Sequence, residues 1–152
     1  MMPVSSERPT ILVADDEPFN LSLMGEILGK HYNVVLADKG LGALELAFAD
    51  PPDLILLDVM MPDMDGFEVC RRLMGNPATS HIPVIFVTAS KEIKDEELGF
   101  LVGASDFIHK PISAPILAAR VKAHLKIKFM QDYLRNENTL TVMRSYFWLR
   151  AA

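Results

Sequence analysis

The chain has 152 residues, 50% of them apolar, and a formal net charge of −5. This length favours one domain with an appendage, and this hydrophobicity is that of a chain with a buried core. The negative charge argues against a nucleic-acid-binding surface, because such surfaces are basic. No stretch approaches the ~20 apolar residues that cross a bilayer, and the single cysteine, Cys70, fits a reducing compartment. We therefore expect a cytoplasmic protein without membrane contacts.

After an N-terminal arm (residues 1–9), short apolar runs alternate with amphipathic stretches. The runs predict strands at Thr10–Ala14, Asn33–Ala37, Leu54–Leu57, Pro83–Val87 and Ser105–Ile108. The amphipathic stretches predict helices at Pro18–Gly29, Gly40–Ala49, Phe67–Met74, Ile93–Val102 and from an N-cap near Ser113 onward. The fourth helix has the fewest apolar anchors. Five alternations with short loops predict an α/β fold, a doubly wound parallel sheet with helices on both faces.

Five polar side chains follow predicted strands at one edge of this sheet: Asp15, Asp16, Asp58, Thr88 and Lys110. Because the carboxyl ends of parallel strands meet at the same edge, we expect these side chains to converge. Close carboxylates repel each other and require a cation. Ligands that are all oxygen favour a hard ion, Mg²⁺ before Mn²⁺.

Such a site favours phosphoryl chemistry, since a metal and a lysine offset charge on the transferred group. Thr88 and Lys110 could each contact a phosphoryl oxygen, and a carboxylate can be the nucleophile, giving an acyl phosphate. Taken singly, these residues have ordinary explanations as helix caps, turn residues or solvated side chains. Their occurrence together favours a site.

The pattern resembles the receiver domains of two-component response regulators over residues 10–126. The resemblance rests on Asp15-Asp16, on Asp58 after Asp-Leu-Ile-Leu-Leu, on the following Met-Met-Pro-Asp-Met-Asp-Gly, on Thr88-Ala89 and on Lys110-Pro111. It implies a flavodoxin-like strand order, 2-1-3-4-5. It also implies a signalling switch rather than an enzyme, which accepts a phosphoryl group on Asp58 from a histidine kinase or phosphotransfer protein. Mg²⁺ would be held by Asp15, Asp16, Asp58 and the backbone carbonyl of Met60.

The resemblance also assigns a switch. Thr88 would move toward the phosphoryl group, and Phe107, three residues before Lys110, would turn inward with it. Lys110 would bind the phosphoryl group, and its bond to Pro111 would be cis. The face formed by the fourth helix, fifth strand and fifth helix would carry the readout and could pair two copies.

The pattern of residues 127–152 predicts a helical extension that continues the fifth helix. We expect the core of the preceding domain to form without this segment. It resembles linkers placed before cyclic-di-GMP enzymes, on the strength of Arg120-Val121-Lys122-Ala123-His124-Leu125. A stand-alone receiver with a dimerising or partner-binding tail is the alternative, because Val121, Leu125, Phe129 and Tyr133 form an apolar stripe.

A haloacid-dehalogenase-like phosphatase is a second alternative, from a different class. Those enzymes carry a second aspartate two residues after the nucleophile, as a general acid. Here that position is Met60, which cannot act as an acid.

Overall fold

In a computed structural model, the chain is described over residues 8–135 and 139–151, apart from the side chains of 139–142 and 151. Most of the predicted N-terminal arm lies outside the described residues, as do the side chains of Leu140 and Val142 in the predicted extension.

Five strands and six helices follow one another in this part of the chain. The strands are β1 Thr10–Ala14, β2 Asn33–Ala37, β3 Leu54–Leu57, β4 Val84–Thr88 and β5 Asp106–His109. The helices are α1 Pro18–Gly29, α2 Gly40–Ala49, α3 Gly66–Met74, α4 Ile93–Leu101, α5 Ala114–Leu134 and α6 Thr139–Ala151. All strand pairs are parallel, and the order β2-β1-β3-β4-β5 confirms the predicted doubly wound sheet.

Alternate residues of the central strands face two separate cores. Leu12, Ile55 and Phe86 point to a cluster that α2 and α3 cover. Their neighbours Val13 and Leu56 point to a second cluster, covered by α1 and α5. A strand buried on both faces has no polar side, which explains the uninterrupted apolar run of β3.

The predicted bounds were off by one residue in two strands. β4 and β5 were predicted as Pro83–Val87 and Ser105–Ile108, but each lies one residue further along. The final pair of the ladder, Thr88 with His109, extends both strands to the edge of the sheet. Thr88 is therefore the last residue of its strand and does not follow it.

The tail differs from the predicted extension. α5 does extend past residue 126, but it ends at Leu134 and a separate helix follows. The expectation that the core does not need this segment was wrong. Phe129 and Leu149 are buried in the α1/α5 cluster.

Within the described ranges, no helix has the length and apolarity needed to span a membrane.

A buried ion network fixes the end of α5 to the sheet. Lys128 Nζ lies 3.2 Å from an oxygen of Asp53, just before β3, and 2.7 Å from an oxygen of Asp132 one turn later. The other oxygen of Asp53 accepts a hydrogen bond from the backbone N–H of Thr10 at 2.8 Å. Burial alone would lower the pKa of Lys128, but the charge of Asp53 and the hydrogen bond to Asp132 outweigh it and raise the pKa.

We predict that Lys128→Met lowers the free energy of unfolding by about 2 kcal/mol, because it leaves the half-buried Asp53 without a cation and leaves Asp132 paired with Arg135 alone. Since the Lys128 pKa is raised in the folded state, this stabilisation is present throughout neutral pH. It is lost only as pH rises above the ordinary lysine value of 10.5. Urea titration measures the change. Lys126→Met, an exposed position on the same helix, is the control, and equal losses in both variants would contradict the prediction.

Candidate phosphoryl-acceptor site

The ends of four strands, β1, β3, β4 and β5, bring the predicted site residues together. The backbone N–H of Asp15 donates to Ala37 at 3.1 Å, and that of Asp58 donates to Ala14 at 2.9 Å. The N–H of Lys110 donates to the carbonyl of Thr88 at 2.9 Å. The ladder therefore continues one step beyond the strands and fixes the backbone of Asp15, Asp58 and Lys110.

Three carboxylates form one cluster at this edge. An oxygen from each of Asp15, Asp16 and Asp58 lies within 4.8 Å of the others. Asp15 and Asp58 are buried, at 0% and 4% exposure, whereas Asp16 is exposed. The three acids therefore converge, as their positions after strand ends predicted, and the cluster is buried at Asp15 and Asp58 and open to solvent at Asp16.

The ammonium group of Lys110 lies among these acids. Its Nζ is 2.9 Å from Asp15 Oδ2 and 3.3 Å from Asp58 Oδ2. An oxygen of the exposed Glu17 lies 3.7 Å from the same Nζ. The Lys110-Pro111 peptide bond is cis, which confirms the prediction.

Burial and repulsion together disfavour the charge on Asp58. Burial and then the neighbouring charge of Asp15 raise the pKa of Asp58 to about 6, although Lys110 opposes both effects. Burial would lower the pKa of Lys110, but its contacts with Asp15 and Asp58 raise it. One ammonium thus balances part, but not all, of the negative charge in the cluster.

The loop after Asp58 folds back over the site. The N–H of Met60 contacts Asp58 Oδ1 at 3.3 Å, and the N–H of Gly66 donates to the carbonyl of Val59 at 2.8 Å. A side chain at Gly66 would collide with the carbonyl oxygen of Asp58, so the close approach requires glycine here. The Met60 side chain is 70% exposed beside the acids.

The two predicted switch residues lie on the strands that lead to Lys110: the Thr88 carbonyl accepts from the N–H of Lys110, and Phe107 lies three residues before it on β5. The buried Thr88 hydroxyl accepts a hydrogen bond from the N–H of Ser90 at 3.1 Å. The ring of Phe107 is already buried in this structure, with its centroid 5.2 Å from that of Phe86 and 5.4 Å from that of Phe100. A side chain at Gly99 of α4 would collide with this ring, so helix and ring are in direct contact.

Two residues of the site loop were missed by the sequence analysis. Asp65 accepts a hydrogen bond from the N–H of Glu68 and caps α3. The pattern Asp-x-x-Glu at the start of a helix could have revealed it. Asp63 accepts hydrogen bonds from the N–H groups of Gly40 and Leu41. Because these partners are more than twenty residues away in the sequence, no local pattern signals this contact.

Comparison with known families agrees with this geometry. The family model for the response regulator receiver domain matches residues 11–122. The chain belongs to this family. Membership favours the signalling switch over the haloacid-dehalogenase-like alternative.

Two relatives are larger proteins. The receiver domain is 46% identical over 129 residues to a Vibrio cholerae protein named "Probable cyclic di-GMP phosphodiesterase", covering 85% of this chain and 29% of the relative. It is 47% identical over 126 residues to response regulator PleD of Caulobacter vibrioides, covering 82% of this chain and 28% of the relative. The chain thus spans less than a third of the length of either relative.

A solved structure shares the fold. The receiver domain of the sensor histidine kinase PA1611 from Pseudomonas aeruginosa superimposes with a TM-score of 0.73 and 26% identity. The match covers 78% of this chain and 98% of that one. That structure holds a magnesium ion coordinated in its active-site cleft.

We predict that Asp58→Asn raises the free energy of unfolding of the receiver domain when the buffer contains a chelator and its pH lies above the raised Asp58 pKa of about 6. Because the folded pKa exceeds the unfolded one, ionised Asp58 destabilises the fold. This loss of stability is absent at low pH, where Asp58 is protonated in both states, and reaches its full size at a pH above the pKa of the folded state. The gain is about 3 kcal/mol at about pH 7.5 and less than about 1 kcal/mol at about pH 4.

Chemical denaturation at both pH values measures this gain. Glu45→Gln removes the same charge at an exposed position of α2 and controls for net charge. A variant that is no more stable than wild type at the higher pH would refute the electrostatic account.

Proposed function

We propose that this receiver domain accepts a phosphoryl group on Asp58 from a histidine kinase or phosphotransfer protein and relays the event by a change in conformation. The observation that carries the proposal is the buried pairing of Asp15 and Asp58 around the Lys110 ammonium. Three carboxylates of this cluster lie around a single ammonium group. In the network at the end of α5, by contrast, Lys128 and Arg135 together balance the two aspartates.

The donor set fits Mg²⁺. Its carboxylates are within reach of one ion, and the buried Asp15 Oδ2 has no hydrogen-bond donor of good geometry among the described residues, although it is ion-paired with Lys110. Asp15, Asp16, Asp58 and the Met60 carbonyl would hold the ion. When bound, it would offset the charge on the phosphoryl oxygens.

In the proposed reaction, a carboxylate oxygen of Asp58 attacks the phosphorus of a phosphohistidine. The new O–P bond forms as the P–N bond breaks, and the histidine nitrogen leaves with the electron pair. Lys110 can then turn its ammonium from the Asp58 carboxylate to a phosphoryl oxygen. The Thr88 hydroxyl can donate to another oxygen.

The proposed switch begins with a movement of the Thr88 side chain. Its hydroxyl now accepts from Ser90, and turning toward a phosphoryl group would draw in the loop before α4. Only Gly99 of α4 is buried, which agrees with the weak anchoring predicted for this helix and lets it move. Phosphorylation shifts such an equilibrium by its differential affinity for the two states. The α4–β5–α5 face would carry the readout and could pair two copies.

The output is the second part of the proposal. Because one relative is named as a cyclic di-GMP phosphodiesterase, a cyclic-di-GMP enzyme joined after the tail is the output we favour over a stand-alone interaction module. A cytoplasmic location fits a phosphodonor kinase, and the acidic charge fits a domain that contacts no nucleic acid.

We predict that acetyl phosphate with Mg²⁺ adds one phosphoryl group to the wild-type domain and none to Asp58→Asn. Intact-mass spectrometry measures the labelling, and EDTA should abolish it. Asp65→Asn, an exposed acid of the same loop, should label as wild type does. Unchanged labelling of Asp58→Asn would remove Asp58 from the role, and repeated turnover of a phosphate ester would favour a phosphatase.

We also predict that Met60→Asn shortens the lifetime of the phosphorylated domain. The exposed thioether of Met60 offers an attacking water no hydrogen bond, whereas an amide can orient one. We expect hydrolysis to accelerate by about tenfold, the low end for positioned polar groups. Met60→Leu is the apolar control, and identical decay rates for wild type and Met60→Asn would dismiss the idea.

A further inference from the structure

The loop between β3 and α3 is attached to α2 through one side chain. Asp63 Oδ1 accepts from the N–H of Gly40 and Oδ2 from the N–H of Leu41, both at 2.9 Å. These donors belong to the first turn of α2, where helix N–H groups have no partner within the helix. Lys39, at the N-cap position, provides no side-chain cap. Asp63 therefore supplies the cap from another segment.

The loop also lies directly on the start of α2. A side chain at Gly40 would come within 2.7 Å of the Met64 carbonyl oxygen. Asp65 caps α3 at the far end of the loop. The two aspartates thus hold residues 59–65 between the N-termini of two helices.

The proposed ion ligands differ in what fixes them. Asp15 and Asp58 are held by the strand ladder. Met60 is not, because its N–H contact to Asp58 is long, at 3.3 Å, and such bonds are weak. The place of the Met60 backbone therefore depends on how the rest of the loop is held.

We propose that Asp63 is a positioning residue for the divalent-ion site, which it supports by fixing the loop that carries Met60 to the first turn of α2. This rests on the proposed function, since it concerns the same Mg²⁺ site. By linkage, an ion bound through Met60 must also change the environment of the amides of Gly40 and Leu41.

The experiment compares Mg²⁺ affinity in the intact chain by calorimetry, without phosphodonor. Asp63→Ala should weaken binding by about tenfold, the low end for partners behind metal ligands. The Mg²⁺ affinity of Asp63→Asn should lie between those of wild type and Asp63→Ala, because an amide oxygen can replace one of the two acceptors but lacks the charge. Glu45→Gln matches the loss of charge, and Ser113→Ala matches the loss of a side-chain helix cap, at the start of α5 and away from this loop. Both should bind within about twofold of wild type.

Amide spectra supply a readout that a general loss of stability would not give. In wild type, adding Mg²⁺ should shift the Gly40 and Leu41 amide resonances, and in Asp63→Ala those shifts should disappear while the rest of α2 keeps its helical resonances. If Asp63→Ala does not fold, Asp63→Asn carries the same comparison.

The outcomes separate the two proposals. Wild type that binds no Mg²⁺ refutes the proposed function. Wild type that binds Mg²⁺ while the Asp63 variants bind it equally well overturns the role of Asp63. An equal weakening in either control variant also overturns it, because the effect would then belong to charge or to capping in general.

Discussion

The electrostatic balance between Lys110 and the acids around it is the constraint on which the rest of the site depends. Two buried carboxylates share one ammonium, so the charge is incompletely compensated and Asp58 resists ionisation. A fold selected for stability alone would replace such a group with an apolar one. The sheet instead provides rigid support on both faces, which keeps the acids together despite their repulsion.

That support is uneven around the site. α3 buries Val69, Cys70 and Leu73, whereas α4 contributes a single glycine to the core. The contact between Gly99 and Phe107 is close, so the position of the helix and the position of the ring depend on each other. α4 has the least hydrophobic attachment and is therefore the element best placed to respond to changes at the site.

Much of this arrangement is predictable from sequence, because it depends on local patterns. Apolar runs located the strands, and their ends placed Asp58 and Lys110 at one edge. Contacts between distant segments were not predictable. Asp63 looks like any acidic loop residue, and Lys128 looks like a solvated lysine until the fold brings Asp53 beside it. The one-residue offset of β4 arose because ladder pairing with β5, rather than composition, decides where a strand ends.

Asp53 and Asp58 bracket β3, a strand of four residues. The first is paired with the far end of α5, and the second lies in the acidic cluster. β3 thus separates the two charge clusters by roughly 15 Å, at the usual rise per residue of a strand. The Lys128–Asp53 contact attaches α5 to one end of the strand, and the proposed phosphoryl acceptor, Asp58, follows the other end. A tilt of β3 would therefore move both charge clusters together.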